Sequence, residues 1–156
     1  SVTSIAEYAF SNSSIRNVYI DNLESWCKIS FNYNSSNPAR YLYLNDVLLE
    51  DLIIPETIKT IKSYSFMSCY SVKTVTVPDS VTSINSYAFD GCSNIESIKL
   101  GNGLTEMGYD AFDECNKLDK IYIDSVESWC KIGFPTSYGP TTDNPLAIAK
   151  NLYMFV

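Results

Sequence analysis

A 23-residue period constrains this chain more than any other feature. Three segments align without gaps: IKTIKSYSFMSCYSVKTVTVPDS from Ile58, VTSINSYAFDGCSNIESIKLGNG from Val81 and LTEMGYDAFDECNKLDKIYID from Leu104. A fourth copy, VTSIAEYAFSNSSIRNVYID from Val2, is one residue short between Phe10 and Ile15. The apolar slots recur with the period. Ile5, Ile61, Ile84 and Met107 share one, and Phe10, Phe66, Phe89 and Phe112 share another. Ile15, Val72, Ile95 and Leu118 open an apolar-x-x-apolar-x-apolar run through Val18, Val75, Ile98 and Ile121 to Ile20, Val77, Leu100 and Ile123. Its end alternates, as in a strand with one face on a core. One coil cannot bury such a side alone. Coils stacked ~4.8 Å apart share a parallel sheet and a continuous core. The four Phe are expected to form an internal ladder, and the I-x-x-x-A-F stretch reads as a short helical turn.

A second, longer repeat is superimposed on the first. The first copy is followed by DNLESWCKISFNYNSSNPARYLYLND and the last by DSVESWCKIGFPTSYGPTTDNPLAIAKNLYMFV. Trp26 matches Trp129 and Phe31 matches Phe134, each 103 residues apart, and Asn37-Pro38 matches Asn144-Pro145. Asp21 with Glu24, and Asp124 with Glu127, form a capping pattern for a short helix. Leu23, Trp26, Cys27 and Ile29 supply its apolar stripe. After Asn37-Pro38, the runs 41–44 and 47–54 around Asn45-Asp46 read as a hairpin. The expected layout is one domain over 1–156, with repeats near 2–21, 58–80, 81–103 and 104–124. Two inserted helix-hairpin islands at 21–57 and 124–156 interrupt them. Terminal coils of such arrays carry polar caps, and neither end here does, so the chain reads as a segment of a longer array.

The run from Ile61 to Pro78, I-x-x-x-A-F-x-x-C-x-x-(hydrophobic)-x-x-(hydrophobic)-x-(hydrophobic)-P, resembles the BspA-like, or treponemal-type, leucine-rich repeats. The E-S-W-C-K-I and S-N-P to L-Y-L-N segments look like those found between repeats in that family's surface proteins. The resemblance covers essentially the whole chain. It implies an α/β, right-handed leucine-rich-repeat solenoid with a parallel β-sheet on one face and short helices or turns on the other. It also implies secretion or display at the cell surface, with a role in adhesion to host or partner-cell surface proteins or extracellular matrix. Two departures stand out: the first copy has no Cys, and the third strand ends in Gly101 rather than Pro.

Composition narrows the function. The chain has no His, which removes Ser-His-Asp and Cys-His catalysis and every His-containing zinc site. Eleven basic residues scattered among eighteen acids, net charge −7, offer no phosphate-binding cluster. Nucleic acid and anionic membrane are therefore not expected partners. No run approaches the ~18 to 20 apolar residues of a membrane span, and membrane insertion is not expected. No segment has the pattern of a signal peptide. Ser25-x-x-Lys28 and Ser128-x-x-Lys131 match the S-x-x-K of penicillin-binding enzymes, but the S-D-N and K-T-G strings that must accompany it do not occur. Asp21, Asp79 and Asp124 follow strands, where turns and caps account for them. Five cysteines fall in two repeat slots (Cys69, Cys92 and Cys115; Cys27 and Cys130), and buried apolar packing explains them better than redox or metal chemistry. No catalytic residue, metal site or cofactor is expected.

Binding is expected on the outward strand positions. Tyr19 and Tyr122 lie between core-facing residues, and Asn17, Thr74, Thr76, Ser97, Lys99 and Lys120 share their phase. Curved solenoids use such faces for extended contacts. Protein partners are the leading expectation and glycans the second, with a spacer or carbohydrate-targeting arm of a larger secreted protein as the alternative role. Uncapped apolar ends also allow end-to-end self-association. Asn12-Ser13-Ser14 and Asn34-Ser35-Ser36 are formal glycosylation sequons.

Overall fold

The computed structural model describes residues 2–32, 37–135 and 144–154. The sequon at Asn34 lies outside them, as does part of the second island. The strands are β1 (Ser4–Ile5), β2 (Asn17–Ile20), β3 (Ser30–Phe31), β4 (Tyr41–Leu44), β5 (Val47–Leu48), β6 (Asp51–Ile53), β7 (Thr60–Ile61), β8 (Thr74–Val77), β9 (Ser83–Ile84), β10 (Ser97–Leu100), β11 (Glu106–Met107), β12 (Lys120–Ile123) and β13 (Asn151–Met154). Two five-residue helices, α1 (Leu23–Cys27) and α2 (Val126–Cys130), and a 3-10 turn at Pro145–Ala147 complete the described elements.

The period sets the register. Asp51 pairs with Thr74, Thr74 with Ser97, and Ser97 with Lys120, so from β6 to β12 each residue meets the one 23 positions on, and the last step, Lys120 to Asn151, spans 31. That sheet runs β13-β12-β10-β8-β6, all parallel. On the other side of each coil a narrower parallel sheet, β11-β9-β7, repeats the same offset. Between the two lies the core. Ile61, Phe66, Val72, Val75, Ile84, Phe89, Ile95, Ile98, Phe112 and Ile121 are all almost fully buried. Parallel sheets need both faces of their strands supported, and the coil interior supplies one of them.

The Phe ladder has three rings rather than four. Phe66 and Phe89 stack at 5.3 Å and 5°, and Phe89 and Phe112 at 4.9 Å and 8°. Phe10 lies outside it because the coil carrying Trp26 intervenes. The stretch before each strand is not helical either. It turns through two residues with positive φ in every copy: Tyr8, Tyr64, Tyr87 and Asp110 in one slot, and Asn12, Ser68, Gly91 and Glu114 in the other. Only Gly91 enters that region without a Cβ penalty. Closing the coil offsets the strain elsewhere.

The two islands are not insertions. Their helices form, but each segment is itself a coil, and its closing strand takes the next rung. Strand β4 pairs parallel with β2, Asn17 against Tyr41, and β13 pairs parallel with β12, Lys120 against Asn151. The returning strand satisfies the hydrogen bonds of an edge that would otherwise stay open. Strand β5 does turn back antiparallel on β4, and β6 then opens the main sheet. The second island's one described strand, β13, forms a rung and no hairpin. The helix caps also differ from expectation. Asn22 Oδ1 accepts from Ser25 N at 2.7 Å and Ser125 Oγ from Ser128 N at 3.1 Å, so the caps lie one residue after Asp21 and Asp124.

Gly101 replaces Pro because the turns pack closely there. A Cβ on it would stand 2.5 Å from the carbonyl carbon of Pro78. Stacking also brings like charges together. Asp90 and Asp113 occupy one slot, with Asp110 and Glu114 beside them. Burial first, and then these carboxylates, raise the Asp90 carboxyl to about 6. A raised acid penalises the fold once it ionises. Stability is therefore expected to rise as pH falls from 7 through about 6 toward the unfolded value of about 3.9. Asp90→Asn is expected to stabilise the protein at pH 7 and flatten its profile between those limits, as measured by thermal unfolding across pH.

Candidate interaction face

Because strands alternate, the side chains between core positions form rows along the outside of the sheet. Register places Asp51, Thr74, Ser97, Lys120 and Asn151 in one row. It places Ile53, Thr76, Lys99, Tyr122 and Tyr153 in the next. In the first sheet Asn17 pairs with Tyr41 and Tyr19 with Tyr43. All eight residues singled out from sequence thus lie on outward rows, divided between the two sheets. Asp51, Ile53, Asn151 and Tyr153, with Tyr41 and Tyr43, were missed. Their strands belong to the segments read as islands, and only the pairing shows that they continue the rows.

The rows are partly braced by their own contacts. Thr74 Oγ1 donates to Asp51 Oδ1 at 2.7 Å. Lys99 Nζ lies 3.9 Å from Asp124 Oδ1, and Asn151 Nδ2 donates to Asp119 Oδ1 at 3.2 Å. Two tyrosine pairs dominate the aromatic surface. Tyr19 and Tyr43 stack at 4.6 Å and 19°, and Tyr122 and Tyr153 at 4.9 Å and 24°. Tyr19 and Ile53 are among the most exposed large apolar side chains. A shallow cleft of about 530 Å³ runs along the edge of the rows, bringing Ser97, Lys120 and Tyr122 together with Asp119 and Lys150.

Family comparison agrees with this architecture. The profile of the BspA type leucine-rich repeat region matches residues 1–43 and 39–134, in six copies. The chain belongs to the BspA type leucine-rich repeat family. The chain also matches two solved bacterial structures. A leucine-rich cell surface protein from Faecalibacterium prausnitzii is 20% identical, with a TM-score of 0.41, over 96% of this chain and 55% of that one. A leucine-rich repeat protein from Eubacterium ventriosum is also 20% identical, with a TM-score of 0.43, over 79% of this chain and 46% of that one. The chain therefore spans about half the length of these relatives. No curated protein matches it.

Among the described residues no cluster of His, Cys, Asp or Glu could hold a metal ion. No described helix is long and apolar enough to cross a membrane. The S-x-x-K lysines are engaged on their own helices: Lys28 and Lys131 pair with Glu24 and Glu127 at 2.5 and 2.8 Å. All five cysteines are free thiols. Cys92 Sγ donates to Phe66 O at 2.9 Å and Cys115 Sγ to Phe89 O at 3.4 Å. Burial pushes the Cys27 and Cys115 thiols up to about 12, and those of Cys69 and Cys92 upward as well. Cys130 departs from the packing role, because it is exposed. A thiolate is the reactive form. An aromatic disulfide reagent is thus expected to titrate one thiol rapidly in the native protein and five in denaturant. Fast native reaction of Cys92 would contradict this packing.

Proposed function

We propose that this chain is a non-catalytic protein-interaction and adhesion module that works outside the cell or at its surface. The observation that carries the reading is the pair of outward rows: exposed tyrosines and short polar side chains, repeated at fixed spacing on a rigid parallel sheet. Tyrosine supplies large contact area with few rotatable bonds and is over-represented among residues that dominate binding energy. Rows at strand spacing suit an extended partner, such as a host or partner-cell surface protein or a matrix protein. Membership in a leucine-rich-repeat family and a chain without His support the non-catalytic reading.

A second reading is favoured by the stacked tyrosine pairs, whose exposed rings offer platforms to sugar faces. The chain would then be a carbohydrate-targeting arm or spacer of a larger secreted protein. One experiment separates the two. The folded chain is titrated against matrix proteins, cell surfaces and a glycan array, alongside Tyr122→Ala, Tyr153→Ala and Lys99→Ala. Saturable protein binding weakened about tenfold by the row substitutions would support the first reading, tenfold being about 1.4 kcal/mol. Glycan binding lost with the tyrosines alone would support the second. Binding unchanged in all three variants would remove the face from consideration.

A further inference from the structure

The residues just before the strands of the main sheet form a row of their own. By register these are Glu50, Lys73, Glu96, Asp119 and Lys150. Each cation in that row has a carboxylate on an adjoining rung, and Lys73 Nζ meets Glu50 Oε1 at 2.8 Å. The first sheet breaks this pattern. Asn17 pairs with Tyr41, so the residues before its strands, Arg16 and Arg40, lie on adjoining rungs. They are the only two arginines in the sequence. Like charges set side by side across a ladder are destabilising. Among the described residues Arg40 makes no ion pair, and residues 33–36, Tyr-Asn-Ser-Ser, hold no acid. In the matching coils of the longer repeat the two places hold Asp119 and Lys150, an opposite-charge pair, so the fold does not require two arginines there.

Both arginines line one cleft of about 410 Å³. The coil that ends in β2 supplies Ser13, Ser14 and Arg16, the next supplies Arg40 and Tyr41, and the third supplies Tyr70. The coils on either side of Arg40 thus both belong to this chain. Among the described residues no carboxylate lines the cleft. Arg40 is held in place. Its Nη1 donates to Tyr70 Oη at 3.1 Å, its Cζ lies 5.4 Å from the centre of the Tyr70 ring, and its carbonyl accepts from Tyr70 N at 2.8 Å. One side-chain hydrogen bond leaves most of the guanidinium donors unused. The Tyr41 ring stands edge-on to Tyr70 at 6.5 Å. We propose that this cleft binds an acidic sugar, its carboxylate on Arg40 and Arg16 and its ring hydroxyls toward Ser13 and Ser14. A planar carboxylate accepts two parallel bonds from one guanidinium, and a guanidinium fixed beforehand loses little freedom on binding. The volume is that of a small-molecule site (~300–1,000 Å³) rather than of a bare ion. Two aromatic rings beside two serine hydroxyls suit a ring with an apolar face and hydroxyl groups better than an extended acidic peptide.

NMR titration of the isotope-labelled chain with glucuronic acid tests the site, with glucose as its neutral match. Saturable shifts centred on the cleft are expected with glucuronate. Glucose, acetate and an Asp-Glu dipeptide are expected to bind at least about tenfold more weakly, because each lacks either the charge or the sugar ring. Arg40→Gln is expected to weaken glucuronate binding at least about tenfold, the loss of a charged hydrogen-bond pair. Arg16 is exposed, and Arg16→Gln is expected to cost about threefold. Lys131→Gln, on α2, is expected to change nothing. Circular dichroism checks that the variants fold. Tyr70→Phe keeps the ring, removes only the hydroxyl that orients Arg40, and is expected to weaken binding as well. No saturable shift with glucuronate, equal binding of acetate or the dipeptide, or binding untouched by both Arg40→Gln and Tyr70→Phe would each overturn the proposal. Neither arginine lies on the outward rows of the main sheet, so failure here would leave that reading as it stands.

Discussion

Phe89→Ala is expected to destabilise the protein by about 3–5 kcal/mol. The ring is fully buried and is stacked between Phe66 at 5.3 Å and Phe112 at 4.9 Å, both nearly parallel to it. Removing it opens a cavity in the middle of the stack and breaks both aromatic contacts, each adding about 0.5–1.5 kcal/mol beyond burial. A domain of this kind has a net stability of roughly 5–15 kcal/mol, so one substitution takes a large part of it. Phe10→Ala is the internal control. Phe10 fills the same sequence slot but is only half-buried and outside the ladder, so its loss is expected to stay below about 2 kcal/mol. Urea unfolding followed by circular dichroism measures both. Equal losses would mean that the ladder contributes nothing beyond the burial of a single ring.

Asn37→Asp is expected to be nearly as damaging at neutral pH, whereas Asn144→Asp is not. Asn37 is 6% exposed. Its amide Nδ2 donates to Tyr64 O at 3.0 Å and to Ser65 O at 2.8 Å, while its Oδ1 accepts from Ala39 N at 2.9 Å. The side chain therefore ties the coil that ends in β4 to the one that ends in β8. A carboxylate cannot donate, and it would set a buried charge against two carbonyl oxygens. The cost is expected to reach at least about 3 kcal/mol, more than an ordinary lost hydrogen bond because the group is charged. The sign with pH follows. A protonated carboxyl can still donate, so the folded-state pKa of the new acid lies above its unfolded value of about 3.9. The penalty is full at high pH and recedes as pH falls through the folded pKa. Asn144 occupies the matching Asn-Pro motif, and there its Oδ1 accepts from Leu146 N at 2.9 Å. Aspartate accepts equally well there, and a change within about 0.5 kcal/mol is expected. Thermal unfolding of both variants between pH 4 and 7 checks the contrast. A fall in stability with pH reduction for Asn37→Asp would sink the account.

These paired substitutions also mark how far the residues alone could be read. The repeat slots, the rung-per-coil register and the phase of core and outward positions were legible at once. A period of 23 leaves one way to stack identical coils, and burying one face of each strand forbids a one-residue slip. The outward rows could be named only in part. Ile53 and Tyr153 sit in segments whose sequence resembles an interruption, and pairing alone shows that they continue the sheet. The helix caps were misplaced by one residue because Asp and Asn compete for the same role, and backbone geometry chose Asn22. The left-handed turns at Tyr64 and Tyr87 had no signal, since residues of those types seldom adopt them.

Sequence by itself determined the solenoid, its period and which side chains face inward within a coil. Those are properties of local alternation and of spacing along one chain. Tertiary structure alone decided which copies of a motif are buried. Trp26 and Trp129, Cys27 and Cys130, and Asn37 and Asn144 carry the same neighbours in sequence and different surroundings in space. The reason is that in a stack of coils the cover over each residue comes from the next coil, and local sequence does not record whether a coil lies there.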